Sequence, residues 1–495
     1  MLTNWVLPRS ASANGAWQRV GSADRVRLLL NDMQHAPGCQ CHGCNMARGM
    51  LTPASPFSSA ADPGTDYAFE MAASSIRYGR GSTAEVGMDM ENLGCQNVML
   101  LTDKNMAKLP VVATVREALD AAGRTVSYFD DVAVEPTDRS FQAAIDFARE
   151  NQCEAFVSVG GGSVMDTAKA ANLFATFPDH ELLDFVNAPV GKGLPVPGAL
   201  RPHIAIPTTA GTGSETTGQA IFDYEPLNAK TGIGNRMLKP TLGIIDPDNM
   251  DTMPKQVAIA SGFDVLCHSL ESFTAIPYLQ RAPRPLNPNL RPAYQGSNPI
   301  SDVWTQQALK MVAENFLDAV NTDSPAAREE MCLASTYAGV GFGNAGVHLC
   351  HGMSYPISGL NKGGPEYVHP EYELDGVNAP LVPHGIAVCI SAPAIFRFTA
   401  AINPDRHLRC AELLGADVSN AKSTADYAGN LLADEILKLM DATGVPMGIS
   451  KLGFTNDDIP DMVAGTLPQE RVTKLSPNPV GAEELSHIFE AAMEY

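Results

Sequence analysis

Short apolar runs alternate, in the first half of the chain, with stretches whose apolar residues recur at helical spacing. Residues 98–102 (VMLLT), 126–129 and 156–159 (FVSV) read as strands, and residues 111–122, 140–149 and 164–174 as helices between them. Two further apolar runs, 204–207 and 243–245, read as buried strands. This alternation predicts a parallel sheet with helices on both faces. Past Asp246-Pro247 the pattern changes to long helical repeats over 303–320, 328–337, 424–440 and 483–493, with almost no alternating strands. The expected organisation is a leader over 1–66, an α/β domain over 67–246 and an all-α domain over 247–495. A chain of 495 residues suits two or three domains.

Charge separates the leader from the body. Residues 1–60 hold Arg9, Arg19, Arg25, Arg27 and Arg48, no lysine, and only Asp24 and Asp32 as acids, although the whole chain carries −21. A basic, serine-containing segment without a long apolar run has the character of a mitochondrial transit peptide, so the mitochondrial matrix is the expected location. Cys39, Cys41 and Cys44 lie there with His35 and His42, but no second ligand pair follows at zinc-finger distance. The acidic body argues against a nucleic-acid partner. No run approaches the ~20 apolar residues of a membrane-spanning helix. Ten irregularly spaced cysteines do not form a disulfide framework. Self-association is left open.

The 156–159 strand runs into Gly160-Gly161-Gly162-Ser163 and then a helix. Glycine admits a phosphate close to the backbone, and the free N–H groups of a helix N-terminus favour its charge. The sequence is neither G-x-G-x-x-G nor a Walker loop. A second loop, PTTAGTGSE (207–215), follows another buried strand and offers hydroxyls and glycines for pyrophosphate and ribose. Both loops fall at C-terminal strand ends, where open α/β sheets bind ligands. Asp103 ends the 98–102 strand and reads either as a ribose contact or as a turn aspartate.

In GFDVLCH (262–268), Asp264 and His268 stand four residues apart on one helix face. His351 and His384 follow in CHGM and PHG contexts. One carboxylate and three imidazoles suit a borderline divalent ion: iron, zinc, manganese or cobalt. Spacing alone does not join ligands so far apart. His203, His348, His369 and His407 are left unassigned.

The pieces GGGSVMDTAKA (160–170), PTTAGTGSE (207–215), GFDVLCHSLE (262–271), VHLCHGMSYPISG (347–359) and PHG (383–385) together resemble the iron-containing alcohol dehydrogenase family, in order and from Tyr67 to the end. TDYAFEMA (65–72), VEPTD (134–138), RPAYQGSNPISD (291–302) and GTLPQERVTKL (465–475) resemble the branch that passes a hydride between a hydroxyacid and an oxoacid. The resemblance implies an N-terminal dinucleotide-binding α/β domain and a helical domain, with the metal in the cleft between them. It implies NAD and iron as cofactors, with zinc suited to the same ligands. The implied metal ligands are Asp264, His268, His351 and His384. The implied cofactor contacts are Asp103, Gly161, Gly162, Ser163, Asp166, Thr208, Thr209, Thr212, Ser214 and Lys230, the lysine lying near the nicotinamide.

One position departs from the family pattern. Many members carry a second histidine four residues after the third ligand, where this chain has Tyr355. A proton relay through that histidine does not carry over, and whether Tyr355 or a water takes its place is open; Tyr355 and Lys230 are the catalytic candidates. The implied reaction moves a hydride from 4-hydroxybutyrate to 2-oxoglutarate through a retained NAD, giving succinate semialdehyde and 2-hydroxyglutarate. The alternatives are a conventional metal-dependent alcohol dehydrogenase with exchangeable NAD and a catalytically silent nucleotide-binding protein. Carboxylate substrates call for cations. Arg281, Arg284 and Arg291, in the proline-rich segment 277–301, are candidates to fork onto one; a surface or subunit-contact loop is the other reading of that segment.

Overall fold

A computed structural model describes residues 64–495, apart from 228, 286, 323, 361, 363–366, 375–376 and 420–423. The transit-peptide reading of the leader, including Cys39, Cys41 and Cys44, falls almost wholly outside the described residues.

The described residues open with β1 (Ser75–Tyr78), α1 (Val86–Asn92), β2 (Asn97–Leu101), α2 (Pro110–Ala121), β3 (Thr125–Phe129), α3 (Asp138–Glu150), β4 (Ala155–Gly160), α4 (Gly162–Thr176) and β5 (His203–Pro207). A hairpin, β6 (Gln219–Tyr224) and β7 (Ala229–Gly234), precedes β8 (Leu242–Ile245). Six strands form one sheet in the order β1-β8-β5-β4-β2-β3, every pair parallel. All residues of β4 and β5 are buried, the continuous apolar run that a strand covered on both faces requires. Edge strand β1 is mostly exposed and lacks that signal. Helix α3 starts at a reciprocal cap in which Ser140 N–H donates to Thr137 Oγ1 (3.2 Å) and Thr137 N–H to Ser140 Oγ (2.8 Å).

The rest of the chain is helical: α5 (Lys255–Thr274), α6 (Pro299–Asn321), α7 (Pro325–Ala345), α8 (Leu349–Gly359), α9 (His384–Cys389), α10 (Ala392–Thr399), α11 (Pro404–Leu413), α12 (Ala425–Thr443), α13 (Ile459–Thr466), α14 (Glu470–Thr473) and α15 (Ala482–Ala491). Among the described residues one antiparallel pair, β9 (Val368–Leu374) with β10 (Val377–Pro380), interrupts it. Almost every residue of α5 from Ile259 onward is buried, because the helix runs through the largest apolar cluster, and its polar residues Asp264, His268 and Glu271 are buried with it.

Two glycine contacts set the distances around the strand ends. A Cβ on Gly162 would stand 2.8 Å from Thr212 Cγ2, so the two sequence-identified loops lie directly against each other. Gly213 has φ +56° and meets Gly339 of α7, where a Cβ would come within 2.7 Å of the facing Cα.

Candidate active site

The N-terminus of α4 has no side-chain cap, leaving first-turn N–H groups at the mouth of a cavity of about 130 Å³. Gly162, Ser163 and Thr212 line this cavity from the sheet side; Asp264, His268, His351 and His384 line it from the helices. Thus side chains as far apart in sequence as Ser163 and His384 face one space, which spacing alone did not establish.

Asp264 Oδ1 stands at the centre of the imidazoles. The Nε2 atoms of His351, His268 and His384 lie 3.5, 3.6 and 3.8 Å from it. Ligand atoms from Asp264, His351 and His384 all fall within 4.8 Å of one another. A tetrahedral ion with bonds near 2.1 Å separates its ligands by roughly 3.4 Å, close to these spacings. Asp264 Oδ1 and His351 Nε2 are buried without a hydrogen-bond partner, and such orphans are costly unless an ion satisfies them. The residues present therefore fit a divalent cation.

The surroundings prepare these groups. Burial raises the Asp264 pKa, but His268, His384 and His351 outweigh it and hold the carboxyl well below its usual range. Burial pushes His268 down to about 3, leaving a neutral imidazole stacked on Phe342 at 3.8 Å. At His351 burial is overcome by Glu271 and Asp264, and its pKa rises to about 10. A cation binding there must displace that proton.

Glu271 escaped the sequence reading. It is fully buried on α5, seven residues after Asp264, and accepts from the backbone N–H of His348 (2.8 Å) and Cys350 (2.7 Å) at the start of α8. It also pairs with His351 Nδ1. The carboxylate thereby fixes the ring so that Nε2 faces Asp264, the usual carboxylate–histidine support of a metal ligand. His348, His203 and His407 are engaged elsewhere, with Thr274, Ser158 and Thr399 respectively.

Not every cofactor candidate faces the cavity. Asp103 Oδ1 accepts from the N–H groups of Asn105 and Met106, both at 2.9 Å, and so shapes its own turn. Gly161, Thr208 and Thr209 sit at strand ends outside the cavity lining. Asp166 and Ser214 line it but are tied to each other at 2.6 Å. Lys230 is clamped by Glu135 (2.6 Å) and Asp223 (3.1 Å). Burial lowers its pKa, but the two carboxylates outweigh burial and raise it. Lys230 is a fixed charge beside the cavity and is poorly suited to carry a proton. Glu135 holds φ +50° although it is not glycine, a strained conformation of the kind that gathers at functional sites.

The arginines of the proline-rich segment are placed otherwise than expected. Arg291 and Arg281 pair with buried Asp66 at 3.2 and 3.5 Å, and Arg284 lies 5.1 Å over the Tyr67 ring. None lines the cavity. They hold down the first described residues because Asp66 needs a cation once buried. The arginine that does line it, Arg471 on α14, gave no signal beyond lying in the GTLPQERVTKL motif.

A doubly covered parallel sheet with an uncapped helix at its switch point, facing a carboxylate–imidazole centre, defines a metal- and NAD-dependent oxidoreductase. The iron-containing alcohol dehydrogenase profile matches residues 73–247, and the Fe-containing alcohol dehydrogenase C-terminal profile matches 293–362 and 374–493. The chain belongs to the iron-containing alcohol dehydrogenase family. It is 55% identical to the mitochondrial hydroxyacid-oxoacid transhydrogenase of Rattus norvegicus, over 95% of this chain and 98% of that one. The Homo sapiens protein of the same name is 53% identical over 95% and 98%. Among solved structures, a 1,3-propanediol oxidoreductase is 27% identical with TM-score 0.73, over 86% of this chain and 100% of that one. Sulfoacetaldehyde reductase from Bifidobacterium kashiwanohense in complex with NAD+ is 25% identical with TM-score 0.67, over 86% and 98%. The mitochondrial location expected from the basic leader agrees with the relatives' names. No helix among the described residues is long and apolar enough to cross a membrane.

Proposed function

We propose that this chain transfers a hydride from 4-hydroxybutyrate to 2-oxoglutarate through an NAD that stays bound, releasing succinate semialdehyde and 2-hydroxyglutarate. The observation that carries this reading is the convergence of Asp264, His268, His351 and His384 on the cavity that also receives the α4 N-terminus. The relatives named hydroxyacid-oxoacid transhydrogenase support the choice of reaction. Iron is the metal we assign, on the family's name; zinc suits the same ligands. Residues 67–246 form the nucleotide domain and 247–495 the metal domain in this reading.

When bound, the metal supplies Lewis acidity toward the substrate oxygen, and the dinucleotide takes up and returns the hydride. The chain's own residues do the positioning. Gly161, Gly162, Ser163 and the α4 N-terminus receive the pyrophosphate, with Thr208, Thr209 and Thr212 alongside. Asp166 and Ser214 hold the two loops together, and Asp103 borders the ribose. Lys230 keeps a fixed positive charge near the nicotinamide side. Oxidation of the hydroxyacid removes a hydride and a proton, and reduction of the oxoacid consumes both. One group that holds the proton between the two halves is enough; Tyr355 Oη, at the cavity wall, is that group here.

The test is turnover of purified holoenzyme with 4-hydroxybutyrate deuterated at C4, 2-oxoglutarate as the acceptor and no added nucleotide. We expect sustained turnover with deuterium at C2 of 2-hydroxyglutarate. Turnover that stops without added NAD, or deuterium released as free NADH, identifies a conventional dehydrogenase instead.

A further inference from the structure

The cavity wall carries a guanidinium that forms no ion pair with any acid among the described residues. Arg471 is half-buried and lines both the chamber of about 130 Å³ and an adjoining one of about 410 Å³. Its Nη2 donates to Tyr355 Oη at 2.8 Å and its Nη1 to Gln219 Oε1 at 3.3 Å. It lies 5.3 Å over the Tyr294 ring. None of these partners is a carboxylate, and among the described residues Arg471 forms no ion pair. Other sequestered arginines here do: Arg406 pairs with Asp302 at 2.6 Å and Arg291 with Asp66 at 3.2 Å. The acids that share the cavity face other groups: Asp166 pairs with Lys169, Glu135 with Lys230, and Asp264 is turned to the imidazole centre. A partly buried guanidinium whose hydrogen bonds go only to neutral groups is a receptor for a planar anion.

We propose that Arg471 receives the distal carboxylate of both substrates, so that one anchor serves both half-reactions. This rests on the substrate reading given above. In 4-hydroxybutyrate the reacting C4 is followed by two methylenes and a carboxylate; in 2-oxoglutarate the reacting C2 is followed by the same three groups. Superposing the reacting carbons superposes the carboxylates. A cation held at one distance from the metal ligands then presents either molecule to one face of the same nicotinamide. The bond from Tyr355 limits rotation of the guanidinium, and Arg471 takes no part in bond making or breaking.

The experiment uses holoenzyme and the variants Arg471→Gln and Arg471→Lys. Succinate, which has the two methylenes and the carboxylate but no hydride to give, is titrated calorimetrically. In parallel, reduction of the bound nucleotide is followed in single turnovers against the concentration of 4-hydroxybutyrate and of neutral 1,4-butanediol, giving a limiting rate and a KM for each, and bound nucleotide is quantified. We expect the succinate Kd of Arg471→Gln to rise about a hundredfold, and its preference for the acid over the diol to fall by a similar factor, mainly through KM. Arg471→Lys, which keeps the charge without the fork, falls between. Succinate binding and acid preference within threefold of wild type in both variants overturn the anchor. Loss of bound nucleotide with the acid preference kept also overturns it, assigning Arg471 to the pyrophosphate. A wild-type protein that does not prefer the acid overturns the substrate reading, and the anchor with it.

Discussion

Two buried charged clusters border the same cavity and are built on opposite terms. In the first, Asp166 accepts from Ser214 Oγ (2.6 Å), Lys169 Nζ (3.2 Å) and Ile221 N–H (2.9 Å). Lys169 Nζ also donates to Ser214 Oγ (2.5 Å) and to the Gln219 carbonyl (2.8 Å). In the second, Asp264 Oδ1 and His351 Nε2 face each other at 3.5 Å, both buried without a hydrogen-bond partner. Desolvation penalises both clusters, but only the first compensates it from within the chain. A satisfied cluster is scaffold: it joins α4, the second loop and β6. An unsatisfied one has to be completed from outside. Composition does not distinguish them; the state of the individual polar atoms does.

The sharpest way to break this contrast is to neutralise each carboxylate. Asp264→Asn should lower kcat by about a thousandfold or more and leave almost no metal by elemental analysis, with the melting temperature of the metal-free protein barely moved. Asp166→Asn should do the reverse, lowering stability in urea by about 3–5 kcal/mol while metal remains bound. Equal metal loss in both variants would erase the distinction.

Next in size is acid sensitivity from imidazoles that are satisfied internally. His407 bonds Thr399 Oγ1 and the Asn403 carbonyl, both at 2.8 Å, and burial pushes it down to about 4. The folded protein holds it neutral, whereas the unfolded chain takes up its proton below about 6.5. Stability is therefore intact above pH ~6.5 and declines by roughly 3 kcal/mol as pH falls toward 4. His407→Gln should flatten that limb in pH-dependent urea melts. Smaller again, Glu271→Gln should weaken metal affinity about 10–100-fold, read by competition with a chelator, because His351 loses its orienting carboxylate. At the lower end, Arg284→Ala removes a cation–π contact worth about 0.5–1 kcal/mol and should leave the KM for 2-oxoglutarate within twofold. A large rise in that KM would restore the proline-rich segment as a carboxylate site.

How much of this was readable in the chain follows the same division. The nucleotide loops were legible because strand, glycines and helix are contiguous in sequence, and β4 and β5 because complete burial leaves unbroken apolar runs. The hairpin bearing Lys230 was not, since β6 and β7 mix buried and polar positions. Asp264 and His268 were visible through their one-turn spacing, and Glu271 was available to the same argument, one further turn along that face. Arg471 had no local pattern: α14 is a four-residue turn, and its Tyr355 partner is 116 residues away. Arg281, Arg284 and Arg291 drew attention by density, yet the acid that claims two of them, Asp66, lay in the margin read as leader.

The meeting of Gly213 and Gly339 has a practical consequence for anyone redesigning this enzyme. Two bare backbones touch there with nothing between them, so the width of the crevice is set by main chain rather than by adjustable side chains. A single methyl group at either position would act as a shim, levering the loop that carries Thr212 and Ser214 away from α7. Pockets for bulkier acids are better carved from the walls at Val347 or Ile221, with that seam left closed.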